Sequence, residues 1–182
     1  NLDQVERLAT LLAETRDRGG RLFILGVGGS AANASHAVND FRKLCGIEAY
    51  APTDNVAELT ARTNDEGWES VFEGYLQNAH LTPQDAVMAL SVGGGDKARG
   101  VSENLIRGLG VAAWAGVRIL GIVGRDGGHV AKMSEDVIII PTVNPERVTP
   151  HTEAFQSVIL HLLVSHPKLQ VNKGKWESLE PR

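Results

Sequence analysis

Five short runs of apolar residues recur along this chain: "RLFILG" (21–26), "GIEAYAP" (46–52), "DAVMALS" (85–91), "VRILGIVG" (117–124) and "EDVIIIP" (135–141). Each is followed or closed by Gly or Pro. Within them apolar residues follow one another instead of alternating with polar ones, the pattern of strands covered on both faces of a parallel sheet. The segments between them carry helical spacing. Leu2, Val5, Leu8, Ala9, Leu11 and Leu12 mark a lead-in helix over 2–17 that stops at Gly19-Gly20. Further helices are predicted over 31–44, 55–62, 67–79, from the "VGGGD" turn to about Ala115, and over 151–165. Strands alternating with helices predict an α/β fold, a three-layer α/β/α sandwich around a five-stranded parallel sheet. The 182 residues suit a single domain over 1–166; Pro167 breaks the last helix, and 167–182 reads as a polar, extended tail.

Composition narrows the partners. The chain is 42% hydrophobic and 22% charged with a formal net charge of −4, and has no run of five Lys or Arg, so nothing points to nucleic acid. No stretch reaches about 18 apolar residues and no signal-peptide pattern opens the chain, so neither a membrane nor export is expected. The single cysteine, Cys45, lies in an apolar stretch; with no intramolecular disulfide available, a cytoplasmic setting is the expectation. The chain begins without Met, which reads as trimming.

Three of the strands run into Gly-rich turns (Gly26 to Gly29, Gly93 to Gly95, Gly124 to Gly128), and in such sheets ligands bind at the carboxyl ends of strands. The first turn, Gly26-Val27-Gly28-Gly29-Ser30-Ala31, fits a dinucleotide fingerprint. That fingerprint requires an acidic residue closing the second strand, where this chain has Ala51-Pro52, so the turn is not read as a nucleotide loop. The helix after it is more informative. His36 and Asp40 stand at i and i+4, on one face, where both can reach a single atom, a metal ion or a proton in transit. Glu153 and His161, eight apart, share nearly one face of the last helix. His161 falls within "VILHLLV", where a buried imidazole requires a partner. The bland alternatives are a solvated helix face for the first pair and a core histidine satisfied by a carboxylate for the second.

Taken in order, these segments resemble the sugar isomerase (SIS) domain family, and within it the phosphoheptose isomerases. "GVGGSAANASHAVND" (26–40), "TNDEGW" (63–68), "SVGGGD" (91–96), "VGRDGG" (123–128) and "TPHTEAFQSVILH" (149–161) are similar to five family motifs at matching spacing. The resemblance implies a flavodoxin-like sheet and aldose–ketose isomerisation through an enediol, converting sedoheptulose 7-phosphate to D-glycero-D-manno-heptose 7-phosphate. It further implies Asp40 as base and His161 as acid. The substrate contacts it implies are Val27, Gly28, Gly29, Ser30, Asp40, Asn64, Asp65, Ser91, Val92, Gly93, Asp96 and Glu153. A zinc site at His36, Asp40, Glu153 and His161, and a homotetramer whose sites neighbouring subunits complete, are also implied.

Five positions depart from the family pattern. Val27 stands for Asn, Asp40 for Glu, Glu153 for Gln and His151 for Arg, and the Ser/Thr-rich phosphate loop keeps only the hydroxyl of Ser91. Shortening Glu to Asp matters because a shift of about 1 Å in a reacting group costs about 100-fold in rate. Glu153 adds a charge that favours a divalent cation, since two His and two carboxylates suit zinc. Asp96 is expected to cap the following helix and to compete there with a phosphate, partly offset by Lys97 and Arg99, while Gly93 to Gly95 are expected to form a backbone nest. The eroded loop keeps a second reading open, a non-catalytic SIS protein acting as a sugar-phosphate sensor or assembly factor, as well as an enzyme for a related sugar.

Overall fold

The computed structural model describes residues 2–179; Asn1 and the last three residues of the expected tail lie outside the described residues. Five strands, β1 (Leu22–Leu25), β2 (Ala49–Tyr50), β3 (Ala86–Ser91), β4 (Arg118–Val123) and β5 (Asp136–Ile139), form one sheet in the order β2-β1-β3-β4-β5. Every neighbouring pair is parallel. Around it lie α1 (Leu2–Asp17), α2 (Gly29–Cys45), α3 (Val56–Asp65), α4 (Val71–Asn78), α5 (Glu103–Trp114), α6 (Gly128–Met133) and α7 (Val148–Val164). The expected three-layer α/β/α sandwich is the observed one.

The side-chain period of two along each strand divides the core. Leu22 and Ile24 of β1, Met88 and Leu90 of β3 and Leu120 and Ile122 of β4 pack with buried residues of α1, α2 and α7. Phe23 and Leu25, Val87 and Ala89, and Ile119 and Val123 point the other way, into a cluster with Phe72, Leu76, Leu105 and Leu109 of α4 and α5. Burying each large apolar side chain contributes about 1.5–3 kcal/mol. Both faces are covered, which is why the strands read as unbroken apolar runs. Cys45 is buried, and burial pushes its thiol up to about 12, so it packs as a small apolar side chain and not as a nucleophile.

Three local features differ from the sequence reading. The helix expected directly after "VGGGD" begins only at Glu103. Asp96 instead exchanges both backbone hydrogen bonds with Val101 (2.9 and 3.0 Å) and accepts bonds from the amides of Ala98 and Arg99, closing a three-residue 3-10 turn, Lys97–Arg99. Its carboxylate therefore caps this turn and not α5. The short helix α6 was hidden in a Gly-rich stretch with little apolar period. The segment after α7 turns back on the domain: Leu169 is fully buried, and the amides of Val171 and Asn172 donate to the Leu44 carbonyl at the end of α2.

Candidate active site

Helices α2 and α7 lie side by side on one face of the sheet, and the contacts between them set the geometry of the site. Reading along both helices in the same direction, the Glu153 carboxylate lies against Gly29, Ser30 and Asn33 bond to Gln156, and His161 meets His36 and Asp40. Cys45 then meets the Val164 carbonyl. The two helices are thus parallel and in register. A β-carbon at Gly29 would collide with the Glu153 carboxylate, so this glycine permits the close approach at the start of α2.

Two turns further on, three of the expected metal-ligating residues come together. His36 Nε2 is 3.1 Å from His161 Nε2 and 3.2 Å from Asp40 Oδ2, and His161 Nε2 is 3.7 Å from the same oxygen. The two rings meet edge to face, 86° apart. Asp40 Oδ1 accepts a hydrogen bond from Asn39 Nδ2 (2.9 Å), which fixes the carboxylate with Oδ2 toward the imidazoles. The imidazoles are 55% and 54% exposed and Asp40 15%, so the cluster opens to the surface. His161 is therefore not the buried imidazole that "VILHLLV" suggested. Helix α7 turns it outward beside the exposed Phe155, Val158 and Leu162.

Glu153 does not join this cluster, which among the described residues comprises His36, Asp40 and His161. Eight residues bring a helix back to nearly the same face but also advance it by about 12 Å. One turn separates His36 from Asp40, whereas more than two separate Glu153 from His161. The shared face was legible from spacing; the distance along the axis removes the fourth ligand.

The second feature is a cleft of about 620 Å³ where the strand order reverses between β1 and β3, the position at which such sheets bind ligands. The turns after β1, β3 and β4 line it, and of the expected substrate contacts it contains Val27, Ser30, Ser91, Val92, Gly93 and Asp96. Gly28 caps the start of α2. Asn64 and Asp65 end α3 on an exposed surface, bonded to one another at 2.7 Å, and do not line this cleft. The nest expected at Gly93 to Gly95 is partly occupied, because the Gly94 amide already donates to Ser91 Oγ at 3.0 Å.

The sequence reading missed two residues. Gln156 is fully buried; its Oε1 accepts from Ser30 Oγ (2.9 Å) and Asn33 Nδ2 (3.1 Å), and its Nε2 donates to the Ile122 carbonyl of β4 (3.3 Å). This network fixes α7 against α2 and so places His161 opposite Asp40. A signal existed: Gln156 occupies the same helical phase as the buried Thr152, Ile159, Leu160 and Leu163, a polar residue in the core stripe. Replacing Gln156 with Leu leaves Ser30 without its acceptor, removes one of the two acceptors of Asn33 Nδ2 and frees the Ile122 carbonyl. We expect a loss of about 1–3 kcal/mol, read by calorimetry as a melting midpoint lowered by about 2–12 °C. The other missed residue is Arg125, which lines the cleft and lay in the sequence only as part of "VGRDGG".

Comparison with known proteins agrees with this geometry. The SIS domain matches residues 1–124. The chain is 32% identical over 165 residues to a phosphoheptose isomerase from Geotalea daltonii, covering 88% of this chain and 80% of the relative. It is 34% identical over 164 residues to one from Trichlorobacter lovleyi, covering 87% and 78%. In structure it is similar to phosphoheptose isomerase GmhA from Neisseria gonorrhoeae, with a TM-score of 0.76 at 24% identity over 89% of this chain and 84% of that one, a likeness of fold. With the parallel sheet, the cleft at its switch point and these matches together, the chain belongs to the SIS-domain family.

Proposed function

We propose that the protein is an aldose–ketose isomerase of the phosphoheptose type, interconverting sedoheptulose 7-phosphate and D-glycero-D-manno-heptose 7-phosphate in the cytoplasm. The observation that carries this reading is the convergence of His36, Asp40 and His161 on one point, in a chain whose relatives are phosphoheptose isomerases. Isomerisation moves one proton between adjacent carbons and another between their oxygens, so it requires a base at the carbon and an acid at the oxygen. Asp40, whose Oδ1 accepts from Asn39 and whose Oδ2 faces the two imidazoles, is the carboxylate that takes the proton from the carbon beside the carbonyl. His161 carries the proton of the neighbouring oxygen. The cleft at the ends of β1, β3 and β4 holds the phosphorylated end of the sugar.

The donor set fits zinc. Two tetrahedral ligands at about 2.0–2.1 Å from the ion lie about 3.3 Å apart, and the three separations here are 3.1, 3.2 and 3.7 Å. His36, Asp40 and His161 would hold the ion, and two imidazoles with one carboxylate leave a fourth position open, as in catalytic zinc sites. When bound, zinc supplies Lewis-acid polarisation of the carbonyl oxygen. Phe155, Val158 and Leu162 form an exposed apolar stripe on α7 beside the cluster, which supports a homotetramer in which a neighbouring copy covers the open site.

The test is conversion of sedoheptulose 7-phosphate by purified protein, with zinc measured on the same sample. We expect turnover with one zinc per chain, loss of at least about 100-fold on chelation, and recovery on adding zinc back. Absence of turnover by the zinc-loaded protein overturns the isomerase reading; full activity without bound metal overturns the zinc assignment alone.

A further inference from the structure

The loop after β3 offers a phosphate few hydroxyl groups. Val92 and Gly93 carry none, Ser30 Oγ donates to Gln156, and the cleft keeps only the hydroxyls of Ser91, whose oxygen accepts from the Gly94 amide, and Ser102. It is instead lined by cations. Lys97, Arg99, Arg125 and Lys132 face two carboxylates, and both carboxylates are engaged locally. Asp96 accepts from the amides of Ala98 and Arg99 and pairs with the Arg99 side chain at 3.5 Å. Asp126 accepts from the Gly128 amide at 3.2 Å. Among the described residues, the side chains of Arg125, Lys97 and Lys132 have neither an ion pair nor a hydrogen bond.

Arg125 is singled out by its backbone. Its φ of 53° is left-handed, a conformation that costs a non-glycine residue about 1 kcal/mol or more and persists only where its surroundings enforce it. Here they do. The Gly127 amide donates to the Gly124 carbonyl across the turn, and the amides of His129 and Val130 donate to the Gly95 and Gly94 carbonyls (2.9 Å each), clamping the β4 turn to the β3 turn. The clamp needs Gly94, where a β-carbon would collide with the Gly127 carbonyl. It leaves the Arg125 side chain over Gly93, where a β-carbon would touch Arg125 Cδ at 3.4 Å.

We propose that Arg125, supported by Lys97, is the residue that recognises the phosphate in this protein, so that charge replaces the missing hydroxyls as the determinant of specificity. A guanidinium presents paired N–H donors that match phosphate oxygens, and Lys97 adds a point charge from the bridged loop 96–101. The inference rests on the reading that the substrate is a sugar phosphate, and it explains how so altered a loop still holds one.

The experiment compares wild type with Arg125→Asn and Arg125→Gly, both residues that tolerate a left-handed backbone, and with Arg125→Lys. Binding of inorganic phosphate is measured by titration calorimetry, and KM and kcat are measured with sedoheptulose 7-phosphate. For the Asn and Gly variants we expect phosphate affinity to fall and KM to rise by about 10- to 100-fold, with kcat within about threefold of wild type. Arg125→Lys falls between them, since it keeps the charge but loses the paired donors. Wild-type phosphate binding weakens as salt is raised from 0.05 to about 0.5 M. Unchanged phosphate affinity in a folded Arg125→Asn or Arg125→Gly protein overturns the proposal, as does a wild type whose phosphate binding is insensitive to salt. A wild type that binds phosphate through Arg125 but leaves the heptose unconverted overturns the isomerase reading and sustains this one.

Discussion

Replacing Asp40 with Asn is expected to lower kcat by about 10²- to 10⁴-fold, about 2.7–5.4 kcal/mol of transition-state stabilisation, and to leave the melting midpoint nearly unchanged. The amide keeps the shape of the side chain and the bond from Asn39 but has no basicity to take a proton from carbon, and it replaces a carboxylate of the metal-ligand set by a neutral oxygen. The small effect on stability follows from position. Asp40 faces outward between two half-exposed imidazoles, so its charge is not needed to hold α2 against the sheet. His161→Ala is expected to give a comparable loss of kcat together with weakened zinc retention, because it removes both the acid and one ligand. Steady-state kinetics with zinc content measured in parallel checks both variants. An Asp40→Asn enzyme with kcat within tenfold of wild type would remove the base from the mechanism.

The largest expected loss of stability lies at the opposite end of the sheet. Asp85 is 2% exposed and accepts bonds from the Arg21 amide, Nε and Nη2 and from the amide and hydroxyl of Thr82, at 2.7–3.2 Å. It ties the residue before β1 to the turn before β3, and those strands form the centre of the sheet. Asp85→Ala leaves two backbone amides without their acceptor and the Arg21 guanidinium without its carboxylate, with only the Ala79 and His80 carbonyls still bonded to it. We expect a loss of about 3–5 kcal/mol, seen as a melting midpoint lowered by about 6–20 °C.

The same carboxylate predicts a pH dependence. Burial pushes the Asp85 carboxyl up, and the bonds from Arg21 and Thr82 more than offset this, holding it below its ordinary value. A group whose pKa is depressed on folding contributes stability that is fully present above its unfolded pKa, about 3.9, and is lost as pH falls through the folded value. The difference in melting midpoint between wild type and Asp85→Asn should therefore be constant near neutrality and shrink only below about pH 4. A difference that already shrinks between pH 7 and 5 would show that another group is responsible.

Asp85 and Gln156 show what a sequence conceals. In "TPQDAV" the aspartate reads as a turn residue before a strand, because nothing local says that Arg21, more than sixty positions earlier, will lie against it. Gln156 could have been noticed from its phase in the helix, but its partners on α2 and β4 could not. Arg125 lies in a motif that marks a turn, and its role depends on the β3 loop docking against that turn. Spacing alone made legible the site residues whose relation is local, His36 and Asp40, one helical turn apart, whereas pairing His161 with them and placing the cleft turns at the site came from the family resemblance.

The sequence by itself determined the α/β class, the five parallel strands and the face of α2 that carries chemistry, because strand burial and helical period are properties of neighbouring residues. Tertiary structure decided the rest. The parallel register of α2 and α7 brings His161 to His36 and Asp40 and carries Glu153 about 12 Å away along the helix axis. The bridge from Asp96 to Val101 moves the start of α5 to Glu103 and turns Asp96 into its own loop. The docking of the β3 and β4 turns holds Arg125 over the cleft. These outcomes depend on distances between segments remote in sequence, which periodicity fixes in angle but not along the axis.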